Sequence, residues 1–426
     1  MKANVANNKR VSPEQRSTEQ DFTDQDKHFM AQAIELAKKG HFTTSPNPRV
    51  GCVLVSYHNG VGKIIGAGYH QIAGQGHAEV KALIDAKINH AFLIKGATAY
   101  VTLEPCSHFG RTPPCAQALI DAGISHVIAA MVDPDSRVSG NGLAMLKQAG
   151  IKTKSGLLEQ SARALNVGFI HQRENKLPYV RCKLAASLDG KTAMASGESK
   201  WITSTEARQD VQRLRAQSCA IISGADSIIF DNAKMTVRWS ELGELKNSYA
   251  EDTLRQPVRV VIDSQNRLTP NLALFEYESP ILIIHGVSNG IVNDKVENKL
   301  EVNLENLPKW PHFVEHVQLP MVKNAQGNLK IDLPALLTLL AKRGLNDILI
   351  ESGAQLSGAF IEQDLVNELI LYQAPKLMGS DGKSLVAMPT IAKLSQAKAL
   401  TISDIRMVGG DIRITSQLIP NQQTKN

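Results

Sequence analysis

Apolar residues along this chain alternate between two rhythms. From Asp24, the positions Phe29, Met30, Ala33, Ile34 and Ala37 fall on one helical face before Gly40, which predicts a helix capped by Asp24. Short apolar runs at 51–55, 64–68, 99–103 and 126–131 read as strands. Helical spacing lies between them at 78–88 and at 116–122, the latter stopped by Gly123. Strands alternating with helices predict a layered α/β unit. A charged turn from Arg173 to Pro178 closes it, and a second series opens with a strand at 179–184. A helix at 205–216 follows, with strands at 220–223, 258–263, 280–284, 347–351 and 368–372. This too predicts α/β. No internal repeat relates the two series, so two units with different work are expected. The polar stretches 240–256 and 287–330 are expected to be loops and a surface insertion.

Composition narrows the partners. Residues 1–23 are polar and are expected to be disordered, leaving units at 24–173 and 178–420. Forty-seven basic against 41 acidic side chains leave a net charge of +6, and basic residues never run beyond pairs. That gives no arm for nucleic acid or a membrane, while small anions remain suitable partners. Five irregularly spaced cysteines make no disulfide framework. With no spanning apolar run and no apolar core near the N-terminus, a cytoplasmic place is expected.

The first unit carries candidate metal chemistry. His77 and Glu79 sit at a predicted helix start, Cys106 follows Pro105, and Cys115 follows Pro114. One imidazole and two thiolates are ligands that Zn²⁺ accepts, and three protein ligands leave an open position, as catalytic zinc requires. Glu79, two residues beyond the histidine, can act as general base and then acid without binding the metal. A helix start at Cys115 favours its thiolate. Zinc deaminases pair H-x-E with P-C-x-x-C. Here the second cysteine comes nine residues after the first, so 107–114 must loop out and return Cys115. His108 lies in that loop and is a rival ligand, though a substrate contact suits its place better. Cys52, Cys182 and Cys219 lie in apolar runs and are expected in the core.

Three segments carry a resemblance: Thr44-Ser45-Pro46-Asn47-Pro48-Arg49-Val50-Gly51, His77-Ala78-Glu79, and the stretch from Thr102 to Cys115. They resemble the deaminase half of the RibD family, bifunctional proteins of riboflavin biosynthesis in which the long intercysteine loop is normal. The resemblance implies a cytidine-deaminase-like three-layer domain. It also implies zinc-dependent hydrolytic removal of the 2-amino group from 2,5-diamino-6-ribosylamino-4(3H)-pyrimidinone 5′-phosphate. By position Asn47 would bind the pyrimidine, and His108 and Arg111 the ring or phosphate.

Motifs of the second unit are individually weak. Lys183 to Ala193 ends a strand in a Ser-Leu-Asp-Gly turn, Trp201-Ile202-Thr203-Ser204 follows, and Glu351-Ser352-Gly353 closes a later strand. A glycine turn at a strand end can hold a pyrophosphate on backbone N–H groups, but G-x-G-x-x-G is missing, so no Rossmann domain is indicated. In order, these segments resemble the reductase half of the same family, implying a dihydrofolate-reductase-like α/β domain in which NADPH delivers hydride to C1′ of the opened ribose. The resemblance implies that Ser199, Arg215, Met235, Arg238 and Glu351 line the substrate. It puts Ala185, Trp201, Ser227, Asp231, Ser264 and the turn Gly353, Ala354, Gln355, Leu356, Ser357, Gly358, Ala359 against the dinucleotide. Arg215 and Arg238 suit bidentate phosphate recognition. Lys183 and Asp189 are candidates for polarising or protonating the sugar oxygen, and Ser264 with Arg267 for the 2′-phosphate. The family's Asp-Asp-Pro is replaced by Asp231-Asn232-Ala233, which predicts a less pre-organised loop.

Two other readings compete: a single-activity zinc nucleoside or transfer-RNA deaminase with an inert C-terminal domain, and a zinc-stabilised binding module. A nucleic-acid editor calls for a basic patch with interleaved aromatics, yet aromatic residues are only 5% of the chain. A structural zinc site calls for four ligands. A homodimer or tetramer is expected.

Overall fold

The computed structural model describes residues 22–108, 113–135, 138–287, 309–324 and 326–419. The chain divides into two compact units, Met1–Asn175 and Lys176–Asn426.

The first unit runs α1 (Asp24–Lys38), β1 (Gly51–His58), β2 (Val61–Tyr69), α2 (Ala78–Asn89), β3 (Thr98–Val101), α3 (Cys115–Asp121), β4 (His126–Ala129), α4 (Asn141–Gln148), β5 (Lys152–Ser155), α5 (Glu159–Leu165) and α6 (Val167–Asn175). Its sheet has the order β2-β1-β3-β4-β5, antiparallel around β1 and parallel from β3 to β5. The first helix is capped by Thr23, not by Asp24: the Thr23 hydroxyl accepts from the Asp26 N–H while the Asp26 carboxylate accepts from the Thr23 N–H. Asp26 in the third helical position completes this reciprocal box, and Asp24 cannot. The predicted stripe of Phe29, Met30, Ala33, Ile34 and Ala37 is buried, and α1 meets β1 at Gly51. On the other face α2 lies so close to β2 that a Cβ at Gly68 would come within 2.4 Å of the Ala82 nitrogen. Only glycine permits that approach, and it fixes where the first turn of α2 falls.

The second unit runs β6 (Tyr179–Ser187), β7 (Lys191–Ala193), α7 (Thr205–Gln217), β8 (Ala220–Gly224), α8 (Ala225–Asp231), β9 (Val258–Ile262), β10 (Ile281–Val287), β11 (Val314–Lys323), β12 (Leu329–Ile331), α9 (Leu333–Lys342), β13 (Asp347–Glu351), α10 (Ala354–Glu362), β14 (Glu368–Ala374), β15 (Lys383–Ser384), β16 (Leu400–Val408) and β17 (Asp411–Leu418). Ten strands form one sheet, β12-β11-β10-β9-β8-β13-β6-β14-β17-β16, and β7 pairs with β15 apart from it. The strands from β11 through β14 are parallel, and β12, β17 and β16 are antiparallel additions. Each face has its own core. Ile228 of α8 belongs to the cluster with Leu349 and Tyr372; Phe360 and Ile361 of α10 belong to the one with Ile348 and Ile350. The neighbouring strands β8 and β13 therefore send their following helices to opposite faces, opening a crevice at their carboxyl ends where open α/β sheets bind ligands.

The described part of 287–330 is not all loop, because β11 and β12 fall within it. Pro320 interrupts the β11 run and argues against a strand, but it lies toward the sheet edge, where proline is tolerated. Most of β11 is not buried, so its sequence lacks an apolar alternation. Within 240–256 the chain makes three short 3₁₀ turns. Cys52, Cys182 and Cys219 are fully buried core residues.

Candidate active sites

His77 occupies the N-cap position of α2, yet its side chain makes no capping hydrogen bond. The imidazole instead faces two sulfurs, with Nδ1 at 3.7 Å from Cys106 Sγ and 3.3 Å from Cys115 Sγ. Cys106 lies on the loop after β3 and Cys115 opens α3. The two segments are joined where the Cys115 N–H donates to Cys106 Sγ and the Ala116 N–H to the Cys106 carbonyl. One donor atom from each of the three residues lies within 4.8 Å of the others. Cys115, nine residues after Cys106, does lie at this point. Cys106 is held down to about 4, first by its hydrogen bond with Cys115 and then by His77. The same hydrogen bond and burial push the Cys115 thiol well up, so the pair as it stands shares one proton between its sulfurs, and the start of α3 does not by itself make Cys115 a thiolate.

Glu79, in the first turn of α2, is 2% exposed, and its Oε2 is buried with no hydrogen-bond partner. Burial, reinforced by the charge of Cys106, pushes its carboxyl up to about 7. A buried carboxyl poised near neutrality suits proton transfer. The donor set fits zinc: two sulfurs and a nitrogen converge, and an unsatisfied carboxylate oxygen lies beside them.

Asn47 is brought in by a different device. The Arg49 guanidinium donates to the carbonyls of His41 and Leu165, and Asn166 bonds both the N–H and the carbonyl of Arg49. That tie holds the loop before β1, and Asn47 Nδ2 lies 3.2 Å from His70 Nε2. His70 was not singled out from the sequence. It is 2% exposed, stands edge-on to His77 with ring centroids 5.4 Å apart, and places Nδ1 3.3 Å from the Gly76 carbonyl. Burial lowers its pKa, and it stands between Asn47 and His77. A single histidine at a strand end gives no spacing signal, which is why it went unread. His108 is exposed, and Arg111 lies outside the described residues.

In the second unit, strand register brings the charged groups together. Lys183 on β6 lies directly opposite Glu351 on β13 and Ile370 on β14, and Tyr372 is two residues further on the same face. Arg215 of α7, expected to fork on the substrate phosphate, forks on Glu351 instead, at 2.6 and 2.8 Å, and gives Nη1 to the Thr236 carbonyl. Three of its five N–H donors are thereby engaged by the protein. Burial would raise the Glu351 carboxyl, but Arg215 first, then Lys183 and Arg238, hold it below its ordinary value of 4.5. Burial lowers Lys183, Arg215 lowers it further, and Glu351 opposes both. The Lys183 ammonium lies 6.0 Å from the centre of the Tyr372 ring, whose hydroxyl donates to Asp210 at 2.6 Å.

Each side chain of the Arg215–Glu351 pair is only 13% exposed, so cutting the pair leaves a poorly compensated charge. Glu351→Ala should cost up to about 3 kcal/mol, the lower end for a fully buried pair, read by chemical denaturation of the second unit. The sign of the pH dependence follows from the lowered carboxyl. Its stabilisation is complete above 4.5 and disappears as pH falls through the lower folded value. Glu351→Gln should remove that part of the acid dependence.

The remaining expected contacts divide. Arg238 is half exposed and forks on Glu241 at 2.6 and 2.7 Å through Nε and Nη2, so an anion meets its Nη1 edge or exchanges with that carboxylate. Met235 is 3% exposed within an apolar cluster. Asp189 accepts from the Ser187 hydroxyl and from the N–H groups of Met378 and Gly379, which hold it down to about 2. A carboxylate this acidic carries no proton to give at neutral pH, which leaves Lys183 as the proton-bearing candidate of the two. Ser199 is half-buried beside Lys200, whose ammonium reaches the Asp231 carbonyl. Asp231 itself ends α8. Trp201 is 64% exposed beneath the Arg208 guanidinium, and Ser264 is exposed.

At the crevice, the Gly353 N–H donates to Ser227 Oγ, linking the starts of α10 and α8. No side chain caps α10, so its first-turn N–H groups are available to an anionic pyrophosphate. Gly353, Ala354 and Gln355 lie there, whereas Leu356 and Ala359 pack on the core and Ser357 and Gly358 are buried. The expected turn is thus the start of a helix, and only its first residues face outward. Ala185 is half-buried on β6. Arg267 pairs with Asp226 at 2.5 Å. The Asp231-Asn232-Ala233 loop is not loose: Asn232 takes a left-handed conformation ending α8, and its side-chain oxygen accepts from the Ala273 N–H. Asparagine supplies by αL geometry and a hydrogen bond what proline would supply by its ring.

Two sulfurs and an imidazole that converge beside a buried carboxyl on one α/β unit, and an uncapped helix start at a strand end on another, fit a deaminase joined to a dinucleotide-dependent reductase. Residues 23–131 match the cytidine and deoxycytidylate deaminase zinc-binding region, and residues 178–412 match the RibD C-terminal domain. The chain is 48% identical to the riboflavin biosynthesis protein RibD of Escherichia coli over 91% of this chain and 98% of that one. It is 45% identical to that of Haemophilus influenzae over 93% and 98%. Among solved structures, Acinetobacter baumannii RibD superposes with a TM-score of 0.79 at 39% identity, covering 93% of this chain and 99% of that one. The Thermotoga maritima diaminohydroxyphosphoribosylaminopyrimidine deaminase/5-amino-6-(5-phosphoribosylamino)uracil reductase gives 0.75 at 29%, covering 92% and 99%. The chain belongs to the RibD family. It is a bifunctional enzyme of riboflavin biosynthesis, using zinc for deamination and NADPH for reduction, and the single-activity reading is not favoured. No helix among the described residues is long and apolar enough to cross a membrane.

Proposed function

We propose that residues 24–173 remove the 2-amino group of 2,5-diamino-6-ribosylamino-4(3H)-pyrimidinone 5′-phosphate and that residues 178–420 then reduce the ribosyl group to ribityl. His77, Cys106 and Cys115 hold the zinc, which supplies the Lewis acidity that makes water acidic near neutral pH. Glu79 takes a proton from the attacking water and returns it to the departing amino group, so ammonia leaves and a carbonyl remains at C2. Asn47, steadied by His70, orients the pyrimidine, and His108 and Arg111 meet the ring or the phosphate.

In the second unit NADPH supplies the hydride. Lys183 gives its proton to the ring oxygen of the ribosyl group as the C1′–O bond breaks and hydride from NADPH reaches C1′, leaving NADP⁺, and Glu351, fixed by Arg215, holds that ammonium in register. The first turn of α10 with Ser227 holds the pyrophosphate. Arg267 and Ser264 meet the 2′-phosphate, at which point Arg267 leaves Asp226. Arg238 exchanges Glu241 for the substrate phosphate. The enzyme acts in the cytoplasm as a homodimer or tetramer, which gel filtration at low concentration checks.

The observation that carries this reading is the convergence of three metal-binding atoms beside a buried carboxylate oxygen with no partner. Supplying the diaminopyrimidinone phosphate with NADPH should release ammonia and consume NADPH in equal amounts, with ammonia first. NADPH consumption without ammonia contradicts the order. Arg111→Ala should raise KM for the phosphorylated substrate, and an unchanged KM rules out its phosphate role.

A further inference from the structure

Glu104 lies two residues before Cys106 and is 4% exposed. It has no place in the proton or hydride transfers above, yet its carboxylate is saturated with backbone donors. Oε1 accepts from the N–H groups of Gly142 and Leu143 at 2.8 and 3.2 Å, and Oε2 from those of Asp133 and Gly140 at 3.0 and 2.9 Å. Two of these donors belong to the first turn of α4, so Glu104 caps that helix from 38 residues away and gathers the loop before it. Its own N–H donates to the Met131 carbonyl. The packing is equally tight: a Cβ at Gly142 would come within 1.9 Å of the Pro105 carbonyl oxygen. On the far side, Cys106 is tied to α3 through its carbonyl and its sulfur. The backbone carrying the Cys106 sulfur is therefore clamped from both sides.

We infer that Glu104 is a positioning residue for the metal centre, fixing the Cys106 sulfur by anchoring residues 104–106 to the start of α4. The inference rests on the ligand set proposed above. A carboxylate is required because all four neighbours are donors. An amide in its place turns an NH₂ group toward two N–H groups, which repel it and leave buried donors unpaired.

The test compares zinc release to a chelator from folded full-length enzyme, the visible spectrum of the cobalt-substituted protein, and steady-state deamination. Glu104→Gln should release zinc about 10–100-fold faster, the usual consequence of disturbing a residue that orients a metal ligand. It should also shift the cobalt–thiolate bands and lower kcat with KM within about twofold. Tyr100→Phe is the control for stability alone. It removes a hydroxyl that donates to Asp26 in a buried network of the same unit, and should lower the melting temperature while leaving zinc release and the cobalt spectrum as in the wild type. Glu104→Asp keeps the charge but shortens the reach by one methylene, and should fall between Glu104→Gln and the wild type. Wild-type release and an unshifted spectrum in Glu104→Gln overturn the inference, as they do in Glu104→Asp if Glu104→Gln does not fold. Wild-type protein that binds no zinc, or that keeps it when Cys106 is replaced, contradicts the ligand set itself.

Discussion

Replacing Glu79 by glutamine should lower deamination by about 10²–10⁴-fold, the range for removing a general acid–base group, while one zinc per chain is retained. Glutamine keeps the size and loses the proton chemistry. Glu79 is buried and its Oε2 has no hydrogen-bond partner, so the exchange breaks no bond at that atom and the first unit should keep its melting temperature. Reduction of the already deaminated substrate should be unchanged, because the strand-end groups assigned to it belong to the other compact unit. Ammonia release is measured beside metal content. Release within about tenfold of wild type shows that another group moves the proton, and loss of both ammonia release and zinc shows that Glu79 serves the metal.

Lys183→Met should have the mirror effect, lowering NADPH consumption with deaminated substrate by about 10²–10⁴-fold and sparing deamination. Here a gain accompanies the loss. Lys183 is half-buried, and desolvation holds its pKa below the ordinary value of 10.5. Between the lower folded value and 10.5 the unfolded chain binds the proton and the folded chain does not, so wild-type stability rises with pH across that window. Methionine fills a similar volume without the desolvation penalty. The variant should melt no lower than wild type at neutral pH and should lose that rise. Arg215 and Glu351 still pair with each other, so no charge is stranded. Thermal melts at neutral and alkaline pH check this. A large fall in melting temperature shows instead that the ammonium holds the strand ends together.

Much of this was legible because period and chemistry agree locally. The stripe from Phe29 to Ala37 and the strands around Val53, Val101, Ile222 and Ile350 follow from spacing alone, and each is buried. The candidate metal residues stand out because thiol and imidazole chemistry is rare enough to survive the odd spacing, and the structure brings the three together. Other features depend on distant partners. Thr23 caps α1 because Asp26 answers it three residues on. β11 exists because β10 and β12 flank it, despite Pro320 and an exposed surface. His70 meets Asn47, 23 residues earlier. Arg215 suits phosphate recognition until strand register sets Glu351 against its fork. Asn232 replaces a proline by a means that only the Ala273 N–H reveals. Side-chain type gave the chemistry available; tertiary partners decided which groups were already engaged.

X-ray absorption at the zinc edge of the purified enzyme tests the central claim most directly. One zinc per chain should show two sulfur neighbours at about 2.3 Å and one imidazole nitrogen near 2.0–2.1 Å, with a single light atom completing four. A shell without sulfur, a shell of four protein ligands, or a protein that carries no zinc contradicts it.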